Sequence, residues 1–325
     1  MKSTIKDVAK YAGVSTATVS RMLNGTGTVS AATRDKIAEA VDALDFKLNT
    51  RAQNFKTGKT NAIAVIVPDI SNPFFACIIN EIESVISQYD YTLMIANTEE
   101  TNEKEKNVLQ FFSKGNADGI ILASTFHNYD DLAPYVPADL PIVFFDRKLD
   151  NCPHDIITES DTKAISEIVE KLVNTGHKKL GCIAGLNNLS TTTERVNAYL
   201  SSLLKLEISM DKSIVYYASS MADDGGAHAE KLIEEGCTAI IVVSNSMTRG
   251  VLKTILDHGL IPGKDVIVAG YQNPDFLNID MLRICMPYQD LGRKAGELMM
   301  ERLQNPEAPA RYIELPYETI LRERM

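Results

Sequence analysis

The sequence predicts an all-α three-helix head joined by a short connector to an α/β body of two doubly wound parallel-sheet subdomains. Three observations carry this. The first 45 residues place apolar side chains three and four apart between capping residues, seven apolar runs after residue 61 each precede a helix-like stretch, and charge is divided unequally between the two parts.

In the head, Thr4 caps the first helix with Asp7 three residues on, Ile5, Val8, Ala9 and Ala12 form its inner face, and Gly13 stops it. Ser15 caps a second helix with Val19, Met22 and Leu23 inward, ended by Asn24 and Gly25. Ser30 caps a third, with Ile37, Ala40, Val41 and Leu44 inward. Helix, glycine-containing turn, helix and supporting helix is the helix-turn-helix plan. The next stretch, FKLNTRAQNFKTGKT, has almost no aliphatic core material and is basic, so it reads as a connector.

From residue 61 the apolar runs AIAVIV (62–67), TLMIA (92–96), GIILA (119–123), PIVFF (141–145), KLGCIA (179–184), AIIVV (239–243) and DVIVAG (265–270) alternate with amphipathic segments. Continuous apolar strands need both sheet faces covered, which is the parallel doubly wound arrangement. The number of units exceeds one ordinary sheet and predicts two subdomains.

The 325-residue chain carries a formal charge of −10. Residues 1–60, however, hold ten basic residues against five acids, and the remainder carries −15. A basic head on an acidic body is the distribution expected when one part meets phosphate and the other stays clear of it. The cysteines Cys77, Cys152, Cys182, Cys237 and Cys285 have no metal or redox spacing and read as reduced core residues. The start MKSTIKDVAK has no apolar leader and no run reaches membrane-spanning length, which predicts a cytoplasmic protein with no membrane partner. An enzyme acting on sugar phosphates is one competing reading and a plain sugar-binding module another. The chain has no GxSxG, Walker or HExxH motif, and GTGTVS at 25–30 lacks both the preceding strand and the third glycine of a dinucleotide loop. The histidines His127, His154, His177, His228 and His258 are isolated, with His177 placed at a helix end. No cofactor is predicted; the missing motifs oppose the enzyme reading, and the absent leader and the basic head oppose the sugar-binding module.

The segment TIKDVAKYAGVSTATVSRMLNGTGTVSAATRDKI resembles the lactose/galactose repressor (LacI/GalR) family, and so do VPDISNPFF, DGIILA, FFDR, TGHKKLGCIAG and PYQDLGRKAGELMMERL along the body. The resemblance implies a transcription regulator, most simply a repressor of a carbohydrate-utilisation operon, with a periplasmic-binding-protein-like body. The implied domains are a DNA-binding head at 1–46, a hinge helix or linker at 47–60, and an effector-binding and dimerisation body at 61–325. The body divides into an N-subdomain of about 61–157 and 287–315 and a C-subdomain of about 158–286 and 316–325. The partners are near-palindromic operator DNA, a small sugar or sugar-phosphate effector, and a second copy of the chain. The ending YETILRERM lacks leucine heptads, so a homodimer is expected.

The second helix places Thr16, Ala17 and Thr18 in its first turn and Arg21 one turn on, facing the major groove. Arg21 can donate twice to a guanine, with a phosphate clamp as its alternative role, while Thr16 and Ala17 can touch a thymine methyl. Thr4, Ser15, Ser20, Asn24 and Ser30 are expected nearer the phosphates. In the implied hinge, Asn49, Arg51, Ala52, Phe55 and Lys56 contact DNA, with Phe55 where relatives wedge a leucine into the central base step and packing on the body as its alternative. Leu48 stands where a proline is usual and Arg51 where a small apolar residue is usual.

For the effector the resemblance implies a cleft between the subdomains. Asn72, Phe74 and Phe75 supply an amide and stacking rings, and Asp146 and Arg147 a carboxylate beside a guanidinium for a polyol. Arg195 after the hydroxyls of Ser190 and Thr192 forms either a phosphate cradle or an ordinary capped helix start with a surface pair. Asn245 completes the set, with Gln272 where an aspartate is usual, Met286 where a glutamine is usual, and Ser246 in place of an aspartate. Losing acceptors disfavours a plain pentose and favours a different or phosphorylated ligand, and LSTTTER and SNSM are similar to the fructose-responsive branch of the family.

Overall fold

The computed structural model describes residues 3–23, 28–46, 59–160, 162–187, 189–209, 213–219, 222–271 and 279–320. The chain forms two units, Met1–Lys59 and Thr60–Met325.

The first unit holds α1 (Ile5–Ala12), α2 (Thr16–Leu23) and α3 (Ala31–Ala43). Val8, Ala9, Ala12, Val19, Ile37 and Ala40 form its buried core, with Met22, Leu23, Val41 and Leu44 packed against it. Gly13 ends α1 in the left-handed region at φ 68°, donating its N–H to the Ala9 carbonyl, a conformation that costs a residue with a Cβ about 1–2 kcal/mol. Ser30 accepts the Thr33 N–H at 3.4 Å and opens α3.

The second unit contains two six-stranded sheets. The first holds β1 (Ala62–Val67), β2 (Thr92–Asn97), β3 (Gly119–Leu122), β4 (Ile142–Phe145), β5 (Asp155–Ser160) and, near the C-terminus, β11 (Tyr312–Pro316). Its order is β11-β5-β4-β3-β1-β2, all parallel. The second holds β6 (Leu180–Ala184), β7 (Ser213–Tyr217), β8 (Ala239–Val242), β9 (Ile267–Tyr271), β10 (Leu282–Cys285) and β12 (Glu318–Ile320). Its order is β12-β10-β9-β8-β6-β7, with only β12 antiparallel. Helices α4 (Pro73–Ile86), α5 (Asn102–Phe112) and α6 (Tyr129–Leu132) belong with the first sheet, and α7 (Thr162–Asn174), α8 (Ser190–Lys205), α9 (Ala222–Glu234) and α10 (Asn245–Asp257) with the second. Helix α11 (Tyr288–Gln304) returns to the first sheet and packs on α4 so closely that a Cβ on Gly292 would lie 2.6 Å from the Ile78 carbonyl oxygen.

The seven apolar runs become β1, β2, β3, β4, β6, β8 and β9. Strands β5, β7, β10, β11 and β12 are additional. Of these, β11 alternates exposed and half-buried residues at a sheet edge, and β5, DIITES, mixes acids with isoleucines. Its Asp155 is fully buried because it accepts from Arg302 Nε and Nη2 at 3.1 and 2.9 Å and from the Arg311 backbone N–H and Nε at 2.9 and 3.2 Å, pinning α11 and β11 to β5. All five cysteines are free, but only Cys182 and Cys237 are buried; Cys77, Cys152 and Cys285 are half-buried, which corrects the reading of all five as core.

The chain crosses between the sheets between β5 and α7, at Met286 and Pro287 between β10 and α11, and at Tyr317 between β11 and β12. Met286 packs against the apolar cores of both subdomains.

Candidate functional site

In the head, Ser15 caps α2 by accepting the Thr18 N–H at 3.1 Å, and its hydroxyl lies 2.8 Å from that of Thr18. Thr16, Ala17 and Arg21 are exposed while Val19 on the opposite side is buried, so these three share one open face. Arg21 lies along that face with Nε donating to the Ala17 carbonyl at 3.3 Å. Thr18 and Ser20 are half-buried and Ser30 is exposed. Thr4 directs both its N–H, at 2.8 Å, and its hydroxyl, at 2.7 Å, to the Asp7 carboxylate, so both donors are engaged within the chain. Asn24, Asn49, Arg51, Ala52, Phe55 and Lys56 lie outside the described residues.

In the body a cavity of about 70 Å³ opens where the carboxyl ends of strands from both sheets meet, the position at which doubly wound sheets bind ligands. From the first subdomain come Asn72, Phe74 and Phe75 after β1, Glu100 after β2, and Asp146 and Arg147 after β4. From the second come Gly185 and Leu189 after β6, Thr191, Thr192 and Arg195 in the first turns of α8, and Val243, Ser244 and Asn245 after β8, with Met286 at the crossing. Asn72 also caps α4 through the Phe74 N–H at 3.1 Å. Phe74 and Phe75 meet edge to face with centroids 5.0 Å apart. Gln272 lies outside the described residues.

Ser190 is not part of the cavity wall. Its hydroxyl accepts the Lys148 N–H at 3.1 Å, and Lys148 Nζ, beyond β4 of the first subdomain, reaches Glu194 of α8 at 2.9 Å and Glu314 of β11 at 3.5 Å. Ser190 and Lys148 therefore tie the two subdomains together beside the cavity.

The backbone that aims the acidic side chains is unusual. Asp146 sits at φ 68° at the centre of a γ-turn in which the Arg147 N–H donates to the Phe145 carbonyl at 2.8 Å. Glu99 and Glu100 are also left-handed, at φ 50° and 56°, and the Glu100 N–H is held by the Pro68 carbonyl at 3.2 Å. Residues with a Cβ hold such conformations only where the surroundings over-determine them, and they cluster at functional sites.

Arg147 is 5 % exposed. Its Nη1 and Nη2 donate to the two carboxylate oxygens of Glu100 at 3.0 and 2.7 Å, and Nη1 also to the Ser124 carbonyl at 3.2 Å. Among the described residues its Nε has no hydrogen-bond acceptor and pairs instead with the Asp146 carboxylate at 3.4 Å. Burial works against the charge of Arg147, but Glu100, Asp146 and Glu105 together offset it and the pKa rises. Burial pushes the Asp146 carboxyl up, opposed by Arg147 and Arg195.

Arg195 is buried, which excludes the surface pair. Nη1 donates to the Val243 carbonyl at 3.0 Å, Nη2 to the Tyr317 hydroxyl at 3.3 Å, and the guanidinium stacks 4.4 Å over Tyr271. The Tyr317 hydroxyl in turn donates to Glu159 Oε1 at 3.2 Å. Sequence reasoning missed Glu100, Glu159, Tyr271 and Tyr317. Glu100 sits in a charge run that reads as solvated, and only the fold brings Tyr271 and Tyr317 against Arg195 and Glu159 against Tyr317.

Residues 60–320 match the family model for periplasmic binding proteins and the sugar binding domain of the LacI family, and residues 4–49 match that for bacterial regulatory proteins of the lacI family. The chain is 28 % identical to the HTH-type transcriptional repressor PurR of Vibrio atlanticus (strain LGP32) over 327 residues, covering 98 % of both. It is also 28 % identical to the catabolite control protein A of Priestia megaterium, covering 99 % of both. The fold matches the lac repressor dimer bound to operator and the anti-inducer ONPF with a TM-score of 0.83 at 24 % identity, and the CelR–cellobiose complex with 0.71 at 23 %, each over 99 % of both chains.

Proposed function

The chain belongs to the LacI family of bacterial regulatory proteins, and from that premise we propose that it represses a carbohydrate-utilisation operon under the control of a small uncharged sugar held between the body subdomains. It is a DNA-binding transcription regulator, as its relatives are; regulators of this family bind operator DNA as dimers and answer to small molecules. In the proposed assignment the head covers residues 1–46, the connector 47–60 and the body 61–325.

Thr16, Ala17 and Arg21 read base edges in the major groove, since they share the open face of α2. Ser15, Thr18, Ser20, Asn24 and Ser30 hold the helix against phosphates, and Asn49, Arg51, Ala52, Phe55 and Lys56 form a minor-groove contact in the connector. Thr4 acts chiefly through its helix-start position, its own donors being held by Asp7.

The observation that carries the effector assignment is the convergence of Asn72, Phe74, Phe75, Asp146, Arg147, Thr192, Arg195, Asn245 and Met286 on one cavity fed by both subdomains. Its makeup, aromatic rings beside amides, hydroxyls and carboxyls, suits a hydroxyl-rich ligand. The carbon-control name of the Priestia relative and the cellobiose complex of a structural neighbour point the same way.

A thermal-shift panel of neutral sugars and their phosphates on the full-length dimer, followed by operator titration with and without the stabilising compound, tests this. A ligand at 100 times its dissociation constant adds about 2.7 kcal/mol to the native state. A neutral sugar that raises the melting temperature and changes operator affinity is expected. Stabilisation by phosphorylated compounds alone, or by no sugar at all, would refute the ligand assignment.

A further inference from the structure

The cavity has two guanidiniums, and what each is already bonded to decides which ligands it can accept. Arg195 is committed to a carbonyl, a tyrosine hydroxyl and a tyrosine face. Arg147 gives one hydrogen bond to each oxygen of Glu100, the bidentate geometry in which a guanidinium would hold a phosphate or carboxylate ligand. Glu100 is therefore in the place an anionic ligand group would need, with its side chain 16 % exposed.

Charge reinforces the geometry. Glu100 and Asp146 flank Arg147, Glu105 acts on it electrostatically, and Glu159 adjoins Asp146. The carboxyls of Glu100, Glu105, Asp146 and Glu159 outnumber the two arginines, so the surroundings of the cavity offer an anion little net positive charge. The left-handed backbone at Glu99 and Glu100 points to a carboxylate held in place by the surrounding structure: its N–H is fixed to Pro68, and a strained conformation persists only where its surroundings maintain it.

We infer that Glu100 sets the charge class of the effector, occupying Arg147 as an internal counter-anion so that the cavity admits uncharged hydroxyl-bearing ligands and excludes phosphorylated or carboxylated ones. Arg147 Nε is enclosed against the Asp146 carboxylate at 3.4 Å, so none of the arginine's described contacts leaves a paired face open to an anion. The inference rests on the effector-cavity reading above and assigns a selectivity role to a residue that reading does not use.

The test is Glu100→Gln, which removes the charge and one acceptor while keeping the shape. The probe is inorganic phosphate, titrated calorimetrically into full-length protein in a non-phosphate buffer at fixed ionic strength, with a panel of neutral sugars run in parallel. Phosphate should bind Glu100→Gln at least ten-fold more tightly than wild type, and Glu100→Gln combined with Arg147→Gln should lose that gain, which a merely structural role for Glu100 would not produce. Glu100→Asp, retaining the charge, should exclude phosphate as wild type does. Equal phosphate affinity in wild type and Glu100→Gln, or a gain that survives loss of Arg147, overturns the inference. Should Glu100→Gln not fold, saturable millimolar phosphate binding by wild type or Glu100→Asp overturns it equally. The sugar arm is independent: wild type that binds no neutral sugar defeats the proposed function, while a phosphate gain in Glu100→Gln still establishes what Glu100 does.

Discussion

Replacing Lys148 with methionine keeps the length of the side chain and removes its charge, which tests whether the tie beside the cavity stabilises the arrangement that holds ligand. Lys148 Nζ is 2.9 Å from Glu194 across the cleft and 3.5 Å from Glu314 on its own side, and the three side chains are 31 %, 34 % and 41 % exposed. Although burial opposes the charge, Glu194 holds the Lys148 pKa above its ordinary value. Pairs this accessible are screened and contribute roughly 0.2–1 kcal/mol each. Only the Glu194 pair spans the subdomains, and the Lys148 N–H to Ser190 survives the substitution, so the expected loss is at most about 1 kcal/mol, roughly a five-fold change in the balance between arrangements. Calorimetry with the sugar that most stabilises the wild type should show affinity reduced two- to five-fold at low salt. The gap should shrink toward 1 M salt, where the screening length falls to about 3 Å. A double-mutant cycle with Glu194→Gln should recover a coupling of the same size. Unchanged affinity at low salt, or strictly additive effects of the two substitutions, would refute the proposed role of this tie.

Arg21→Ala should cost about 1–3 kcal/mol on the operator and much less on random DNA, measured by fluorescence anisotropy at one salt concentration; equal losses on both would assign Arg21 to phosphate. Asp155→Asn leaves Arg302 and Arg311 without their buried carboxylate and should destabilise the body toward the lower end of the roughly 3–5 kcal/mol range, since Arg311 is 38 % exposed; a loss under about 1 kcal/mol in urea unfolding would refute this. Glu105 is fully enclosed, accepting from the Ser124 hydroxyl at 2.6 Å and the Thr125 N–H at 2.6 Å, and burial raises its pKa above the ordinary 4.5. A raised folded-state value means its contribution is fully present below 4.5 and is lost as pH rises through the folded value, so wild type should lose stability relative to Glu105→Gln as pH climbs from 4 toward neutrality; a pH-independent difference would contradict the assignment.

What was legible in the sequence follows from where the physical cause lies. Strands buried on both faces, such as β1 with every residue enclosed, appear as unbroken apolar runs and are found directly. Strands at or near the sheet margins escape this test. In β11 the exposed and half-buried residues alternate, and in β5 an aspartate that would ordinarily be solvated is enclosed because two arginines, 147 and 156 residues away, neutralise it. The head was readable because caps and apolar spacing are local properties, and Gly13 and Ser30 act within a turn of themselves. The run TEETNEKEK shows the limit of that logic. By composition it is a solvated charge stretch, yet Glu105 is fully buried and Glu100 closes on Arg147. Glu105 is paid for by Ser124 and Thr125 hydrogen bonds from the loop after β3, partners that adjacency in sequence does not reveal. The partner of the Ser190 hydroxyl, the distant Lys148 N–H, is equally invisible to local sequence.

The anchoring of the two cavity arginines bears on how a bound sugar would act on DNA. Arg147 is fixed within the first subdomain, to Glu100 and the Ser124 carbonyl. Arg195 is fixed within the second, to the Val243 carbonyl, and to Tyr317 at a crossing segment. Arg195 also acts electrostatically on Asp146 of the first subdomain, so the separation of the two guanidiniums follows how far the two sheets are apart. A ligand that contacts both would bind the two arrangements of the body with different affinity, the necessary condition for control, whereas one contacting a single subdomain would bind tightly and shift nothing. Met286 sharpens the distinction. It packs on both cores where a hydrogen-bonding side chain is usual in sugar-binding relatives, so it resists separation of the subdomains by apolar contact alone and contributes no polar group to ligand recognition. The polar bridging then falls to the ligand's own hydroxyls. Sugars differing in a single hydroxyl should accordingly differ more in their effect on operator affinity than in their affinity for the body, and equal ranking in the two assays would place the ligand against one subdomain only.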